Sequence, residues 1–243
     1  MDLKEVYIWN VKYNLLNEKE IAEVVDTWLE EGKKDIHITG VDVNVISIAQ
    51  KNDLLRKAIL ESDIVNVDSY LPAKCLALKG YDIKDRVTSP DVWEELLKVA
   101  NHKKKKIYLF GATDATLEKL VAVIKEQYPD ISIVGTRNGY FTEEEAPQIA
   151  KTISDLAPDF LFIGMPSPRK ESFIMAFKGK INVGVYYGVG GAFDAKSGVL
   201  KRPPMLIRGH GGEALFRILR NPKHYGPRIR FYYDFFKLVI KNK

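Results

Sequence analysis

The stretch Ile181-Asn-Val-Gly-Val-Tyr-Tyr-Gly188-Val-Gly-Gly-Ala-Phe-Asp194 decides how the chain is read. An apolar, β-branched run feeds directly into Gly188, Gly190 and Gly191, the pattern of a buried strand ending in a glycine turn. Glycine there lets the backbone approach a ligand closely or adopt angles that other residues avoid. A carboxylate, Asp194, and the cations Lys201 and Arg202 follow within a short distance. Two readings stay open at this point, a plain turn and a cradle for an anion. The spacing fits neither the dinucleotide fingerprint nor the P-loop.

Outward from this stretch, short apolar runs alternate with helical patterns. Strands are expected at Glu5–Trp9, Asp35–Thr39, Ile64–Val67, Ile107–Phe110, Ile131–Val134 and Phe160–Ile163. Helices are expected from Asn17-Glu-Lys-Glu20, a capping box, to about Leu29, and over Val43–Ile59 and Ser69–Leu78. Further helices begin at Ser89-Pro90-Asp91, with serine as the cap, at Thr113, and after Thr142-Glu-Glu-Glu145. One more lies near Arg169, and another spans Glu213–Leu219. Such alternation implies an α/β fold with a Rossmann-like, largely parallel sheet covered by helices. In sheets of this kind ligands bind at the carboxyl ends of the strands, where this chain places Gly and Asp.

Length, cysteine content and charge narrow the class. The 243 residues suit one large α/β domain with an appendage. A single cysteine, Cys75, excludes an internal disulfide and fits a reducing compartment. No signal pattern or bilayer-spanning run is visible, so a cytoplasmic protein is expected. From Arg217 to Lys243 eight basic residues face one acid, a balance of +7 in a chain whose whole charge is +5. The organisation expected is therefore a near-neutral domain, residues 1–204, and a basic, aromatic appendage, residues 205–243, suited to an anionic partner. His37, His102, His210 and His224 lack metal-ligand spacing, so no metal or cofactor is expected. Gly209-His-Gly-Gly212 comes without a Gly-x-Ser-x-Gly nucleophile turn, which argues against a hydrolase. Nucleic-acid binding lacks any stacking platform or known module.

The ordered set Arg86-Val-Thr, Leu109-Phe-Gly111, Asn138-Gly-Tyr-Phe141, Ala157-Pro-Asp159, Gly164-Met-Pro-Ser-Pro-Arg-Lys-Glu171, Gly188–Asp194, Ser197-Gly198, Lys201-Arg-Pro-Pro204, Gly211-Gly-Glu213 and Phe216-Arg217 resembles the WecG/TagA/CpsF family, glycosyltransferase family 26. The resemblance runs from about residue 5 to 230. It implies inverting, metal-independent transfer of a sugar from a UDP-sugar to a polyprenyl-pyrophosphate-linked sugar, in cell-surface polysaccharide or teichoic acid synthesis. The protein would then be peripheral on the inner face of the cell membrane and a possible homo-oligomer. The alternative from another class is a non-catalytic nucleotide-sugar or lipid-binding subunit.

Asp68 closes the strand Ile64–Val67 and matches the family's proposed base, which takes the acceptor hydroxyl's proton. Its competing reading is the N-cap of the helix that follows. By the same resemblance Asp194 holds the ribose or uracil, and Tyr140 either stacks on the base or is an ordinary turn aromatic. Gly111, Gly188 and Gly190 bring backbone N–H groups to the pyrophosphate. Arg86 supplies a planar cation for phosphate or sugar oxygens, against a reading as a surface arginine.

Three positions depart from the family pattern. Gly40-Val-Asp42 stands where the family has Thr-x-Asn, with Thr39 one place early, and Lys170 replaces a neutral amide. Asp42 and Lys170 are expected to face each other or the donor sugar, with a donor other than N-acetylmannosamine, such as a uronate; the competing reading is drift with an unchanged donor. In the appendage, Arg217 matches a basic position for the lipid pyrophosphate. Phe231, Phe235, Leu238 and Val239 share one helical face, which suits an interfacial helix on anionic lipid or a helix docked on the domain or on a partner subunit.

Overall fold

The structure, a computed structural model, describes residues 3–83, 86–200, 216, 218–219 and 222–241. Six parallel strands form the sheet, in the order β4-β3-β8-β7-β5-β6. They are β3 (Ile36–Val41), β4 (Ile64–Val67), β5 (Lys106–Gly111), β6 (Ser132–Arg137), β7 (Phe160–Gly164) and β8 (Val185–Gly188). The α/β expectation is met. All six strands run the same way, so their carboxyl ends, and the turns after them, line one edge.

An antiparallel hairpin precedes the sheet, β1 (Glu5–Ile8) and β2 (Val11–Asn14). Its turn is Trp9-Asn10, both with φ near +55 to +58°, the backbone of a tight two-residue hairpin. β2 is absent from the sequence reading. It is short, with buried residues on both faces rather than an alternating pattern, and it attaches beside β4, where Asn14 Oδ1 accepts Val65 N–H at 2.9 Å.

Helices cover both faces. On one side α1 (Glu18–Glu30), α5 (Ser89–His102) and α6 (Asp114–Gln127) bury Trp28, Trp93 and Leu120 against Phe160, Phe162 and Tyr187. On the other, α2 (Val43–Ala49), α3 (Asp53–Leu60) and α4 (Tyr70–Leu78) join the hairpin in a second cluster. A third cluster lies beneath α7 (Ala146–Leu156) and α8 (Arg169–Phe177). The capping box at Asn17 forms as expected, its side chain accepting from the Lys19 and Glu20 amides. The single helix expected over Val43–Ile59 is instead two, because the Asn52 side chain caps a new start by accepting Leu55 N–H.

The terminal helix, Ile229–Lys241, is docked on the domain. Phe235 is fully buried, edge-on to Trp9 at 5.0 Å between ring centroids. Phe231, Leu238 and Val239 pack against the same cluster, and Ser47 Oγ donates to the Phe231 carbonyl at 2.8 Å. The face expected to meet lipid is therefore the one that holds the helix to the domain. The domain boundary at 204/205, the helix expected over Glu213–Leu219 for all but three residues, and Arg217 lie outside the described residues.

Candidate active site at the carboxyl edge of the sheet

Asp68 follows β4, and its N–H donates to the Val41 carbonyl at 3.1 Å, which ties the ends of β4 and β3 together. The next helix, α4, is capped by Ser69 with no side-chain hydrogen bond, so Asp68 is not its N-cap. Instead the carboxylate turns to the start of α5. Oδ1 accepts the Ser89 N–H and Oδ2 accepts the Ser89 hydroxyl, each at 2.7 Å. The segment that brings Ser89 there is itself pinned. Val87 N–H donates to the Val67 carbonyl at 2.9 Å, and Asn66 Nδ2 donates to the Val87 carbonyl at 2.6 Å. Arg86 stands next to this pinned residue, at the same end of β4. Tyr187 of β8 donates from its hydroxyl to the Ser89 carbonyl at 3.2 Å. Burial pushes that hydroxyl well above its usual pKa, and the Asp68 charge adds to the effect, so Tyr187 keeps its proton and remains a donor.

The departures from the family pattern find other partners. Asp42 caps α2, Oδ1 accepting Val45 N–H and Oδ2 accepting Asn44 Nδ2, both at 2.8 Å. Lys170 is 5% exposed, and its ammonium sits 2.5 Å from Glu171 Oε1. It also donates to Ser167 Oγ, which in turn donates to Glu171. Asp42 and Lys170 therefore do not face each other. The Lys170 charge is neutralised inside the protein, not presented to a uronate. Thr39 is 1% exposed within β3, paired with Gly188, and its hydroxyl has no partner among the described residues.

The glycines divide by role. A Cβ at Gly188 would lie 2.5 Å from Lys170 Cε, so the lysine stem packs directly over this glycine. At Gly111, φ is +124° and a Cβ would lie 2.6 Å from the Gly164 backbone, so the glycine serves a close approach of β5 and β7. Gly190 has φ +54°, and among the described residues nothing lies within 4 Å of a Cβ placed there or at Gly191, but the Gly190 N–H donates to the Ile163 carbonyl at 3.3 Å. That amide is not aimed at a pyrophosphate as expected. Among the described residues the Gly190-Gly191 turn presents a side-chain-free surface.

After β8, the short helix α9 (Ala192–Lys196) carries Asp194. Its Oδ1 accepts the Thr116 hydroxyl at 3.1 Å, which links the turn to the first turns of α6. Beside α6, Asn138 Nδ2 bonds both Asp114 oxygens and its Oδ1 accepts the Tyr140 N–H at 3.0 Å. Tyr140 is 73% exposed, its ring open for stacking. The strand ends thus gather Asp68, Ser89 and Arg86 at β4, and Asp194, Thr116 and Tyr140 beyond β8, β5 and β6. Ser89, Thr116 and Asn66 were missed as site residues. Ser89 read as a helix cap, and Thr116 sits in a helical pattern without any distinguishing motif.

A model of the "Glycosyl transferase WecG/TagA/CpsF family" matches residues 6–243. The chain belongs to that family. Curated relatives carry the name N-acetylglucosaminyldiphosphoundecaprenol N-acetyl-beta-D-mannosaminyltransferase. The relative from Bacillus subtilis (strain 168) is 29% identical over 215 residues, covering 88% of this chain and 83% of its own. That from Staphylococcus aureus (strain MW2) is 24% identical over 223 residues, covering 91% and 87%. As a member of the WecG/TagA/CpsF family the chain is a glycosyltransferase.

Proposed function

We propose that this glycosyltransferase moves an uncharged N-acetylhexosaminyl group from a UDP-sugar to the sugar of a polyprenyl-diphosphate-linked acceptor, with inversion, without a bound metal, and with Asp68 as base. The observation that carries this is the Asp68 carboxylate at the carboxyl edge of the sheet, held through both oxygens by Ser89. This carboxylate accepts the proton of the acceptor hydroxyl as the new bond forms. The acceptor oxygen attacks the anomeric carbon from the face opposite UDP. The bond from that carbon to the β-phosphate oxygen breaks, and its electron pair leaves with UDP. Asp194, Tyr140 and the Gly190-Gly191 turn form the nucleotide side, and Arg86 serves the phosphates. The closed Lys170–Glu171 pair, which takes up the Lys170 charge, supports an uncharged donor. The relatives' names, which pair N-acetylmannosamine with a diphosphoundecaprenol-linked acceptor, agree with it.

The acceptor lipid places the reaction at a membrane, and we assign the contact to the outer face of the terminal helix. Ile229, Tyr233, Phe236 and Ile240, spaced by four, three and four residues, are 50–66% exposed on the side opposite Phe235. Arg230, Lys237 and Lys241 flank this stripe. Exposed apolar side chains bordered by cations suit an interface with anionic headgroups. Among the described residues no helix is long and apolar enough to cross a membrane.

The test is UDP release from UDP-N-acetylmannosamine, UDP-N-acetylglucosamine and a UDP-uronate, each with and without a short-chain lipid-diphosphate-N-acetylglucosamine acceptor and with or without EDTA. Acceptor-dependent release from an N-acetylhexosamine donor, indifferent to EDTA, is expected. Preference for the uronate, or no acceptor-dependent release from any donor, would overturn it.

A further inference from the structure

We propose that Ser89 is the positioning residue for Asp68, and that residue 40 is glycine because the space beside the carboxylate admits one hydroxyl only. The proposal rests on the reading of Asp68 as base. Ser89 is the first residue of α5, but the capping is done by Thr88, whose side chain accepts the Asp91 N–H. The Ser89 hydroxyl is thus released from the usual duty of a serine at a helix start. It points to Asp68 Oδ2, while the Ser89 N–H holds Oδ1. Two donors from a single residue fix both the distance and the plane of the carboxylate. Ser89 is 4% exposed. Its backbone is anchored from β8 by Tyr187 and, through Val87, from β4.

The opposite wall is Gly40 of β3. A Cβ there would lie 2.1 Å from Ser89 Oγ, 3.1 Å from Asp68 Oδ2 and 3.2 Å from Asn66 Nδ2. The first of these is far inside any non-bonded contact. A serine at position 40 would therefore put its own hydroxyl where the Ser89 hydroxyl now stands. The site accepts a hydroxyl from β3 or from α5, not from both. In this chain α5 provides it. The consequence is functional, because a base held in one plane is ready for the acceptor hydroxyl without first losing rotational freedom.

Ser89→Ala keeps the N–H bond to Oδ1 and deletes the bond to Oδ2. A hydrogen bond to a charged group is lost, and kcat is expected to fall on the order of 10- to 100-fold. KM for donor and acceptor should change less than about twofold, with the melting temperature held within a few degrees. Gly40→Ser alone should lower both activity and melting temperature, by collision with Ser89. Gly40→Ser combined with Ser89→Ala restores one hydroxyl from the β3 side and should raise kcat well above that of either single variant. A purely structural Ser89 would move the melting temperature and leave kcat of the folded enzyme alone. Wild-type kcat in Ser89→Ala, alongside an inactive Asp68→Asn, would overturn this inference while leaving the base assignment in place. So would a folded double variant no better than Ser89→Ala. Full activity in Asp68→Asn would overturn the base assignment, and this inference with it.

Discussion

Replacing Lys170 with methionine removes one half of a buried ion pair and leaves the other. The side chains are 6% and 1% exposed, and Lys170 Nζ is 2.5 Å from Glu171 Oε1. At an effective dielectric of about 20 their direct attraction is roughly 7 kcal/mol, much of it spent on desolvating both ions. Removing one partner typically costs about 3–5 kcal/mol, because the survivor stays buried without compensation. Here Ser167 continues to donate to Glu171 at 2.8 Å, and this retained bond offsets part of the cost. The expected loss is therefore near the lower bound, about 3 kcal/mol, or roughly 6–12 °C in melting temperature for a chain of this size. Lys170→Met combined with Glu171→Gln removes the stranded charge and should recover about 2 kcal/mol. Urea unfolding of wild type, both single variants and the double, analysed as a cycle, measures this. Lys170→Met within about 0.5 kcal/mol of wild type, or simple additivity in the cycle, would show that the two side chains are not coupled as a buried ion pair. It would also reopen Lys170 as a cation facing the donor.

Two further outcomes follow from other parts of the molecule. Burial, with Lys178 nearby, depresses the His37 imidazole from its usual 6.5 to about 3. The unfolded chain therefore takes up a proton below pH 6.5 that the folded protein refuses until about pH 3. The stability this provides is complete above pH 6.5 and is lost on acidification, at about 1.4 kcal/mol per pH unit. His37→Asn should flatten that part of the stability curve between pH 6 and pH 4 in urea titrations, and equal slopes would contradict the assignment. On the terminal helix, Phe236→Ser with Ile240→Ser should weaken flotation with anionic vesicles by about tenfold while leaving the melting temperature unchanged. Phe235→Ala should do the reverse, costing about 3–5 kcal/mol of stability through its cavity against Trp9. Vesicle binding lost equally in both variants would contradict the two-faced reading.

Much of the fold was legible because its signals are local. Parallel strands buried on both faces read as short apolar runs, and side-chain caps at Asn17 and Thr113 are visible in the residue types alone. Asp68 was legible as a strand-end carboxylate. What the sequence hides is partnership across distance. The Asp68 to Ser89 clamp joins residues 21 apart, and nothing in Ser-Pro-Asp distinguishes a hydroxyl that caps a helix from one that grips a neighbouring carboxylate. Asp42 and Lys170 looked like pocket residues because they depart from the family pattern. Their side chains are taken up by α2 and by Glu171. The terminal helix carries apolar residues on both faces, and the inner partner, Trp9, lies more than 200 residues away. Periodicity alone reports an apolar face, not what covers it.

The proposed role of Asp68, the base of a sugar transfer to a lipid-linked acceptor, can be measured in a single turnover. Its most direct test is single-turnover transfer from radiolabelled UDP-N-acetylmannosamine to a short-chain lipid-diphosphate-N-acetylglucosamine, by wild type and Asp68→Asn, with UDP-sugar affinity measured calorimetrically on both. Donor affinity is expected to stay unchanged, and the transfer rate of the variant to fall by on the order of 100- to 10,000-fold. Transfer at the wild-type rate by Asp68→Asn would contradict it.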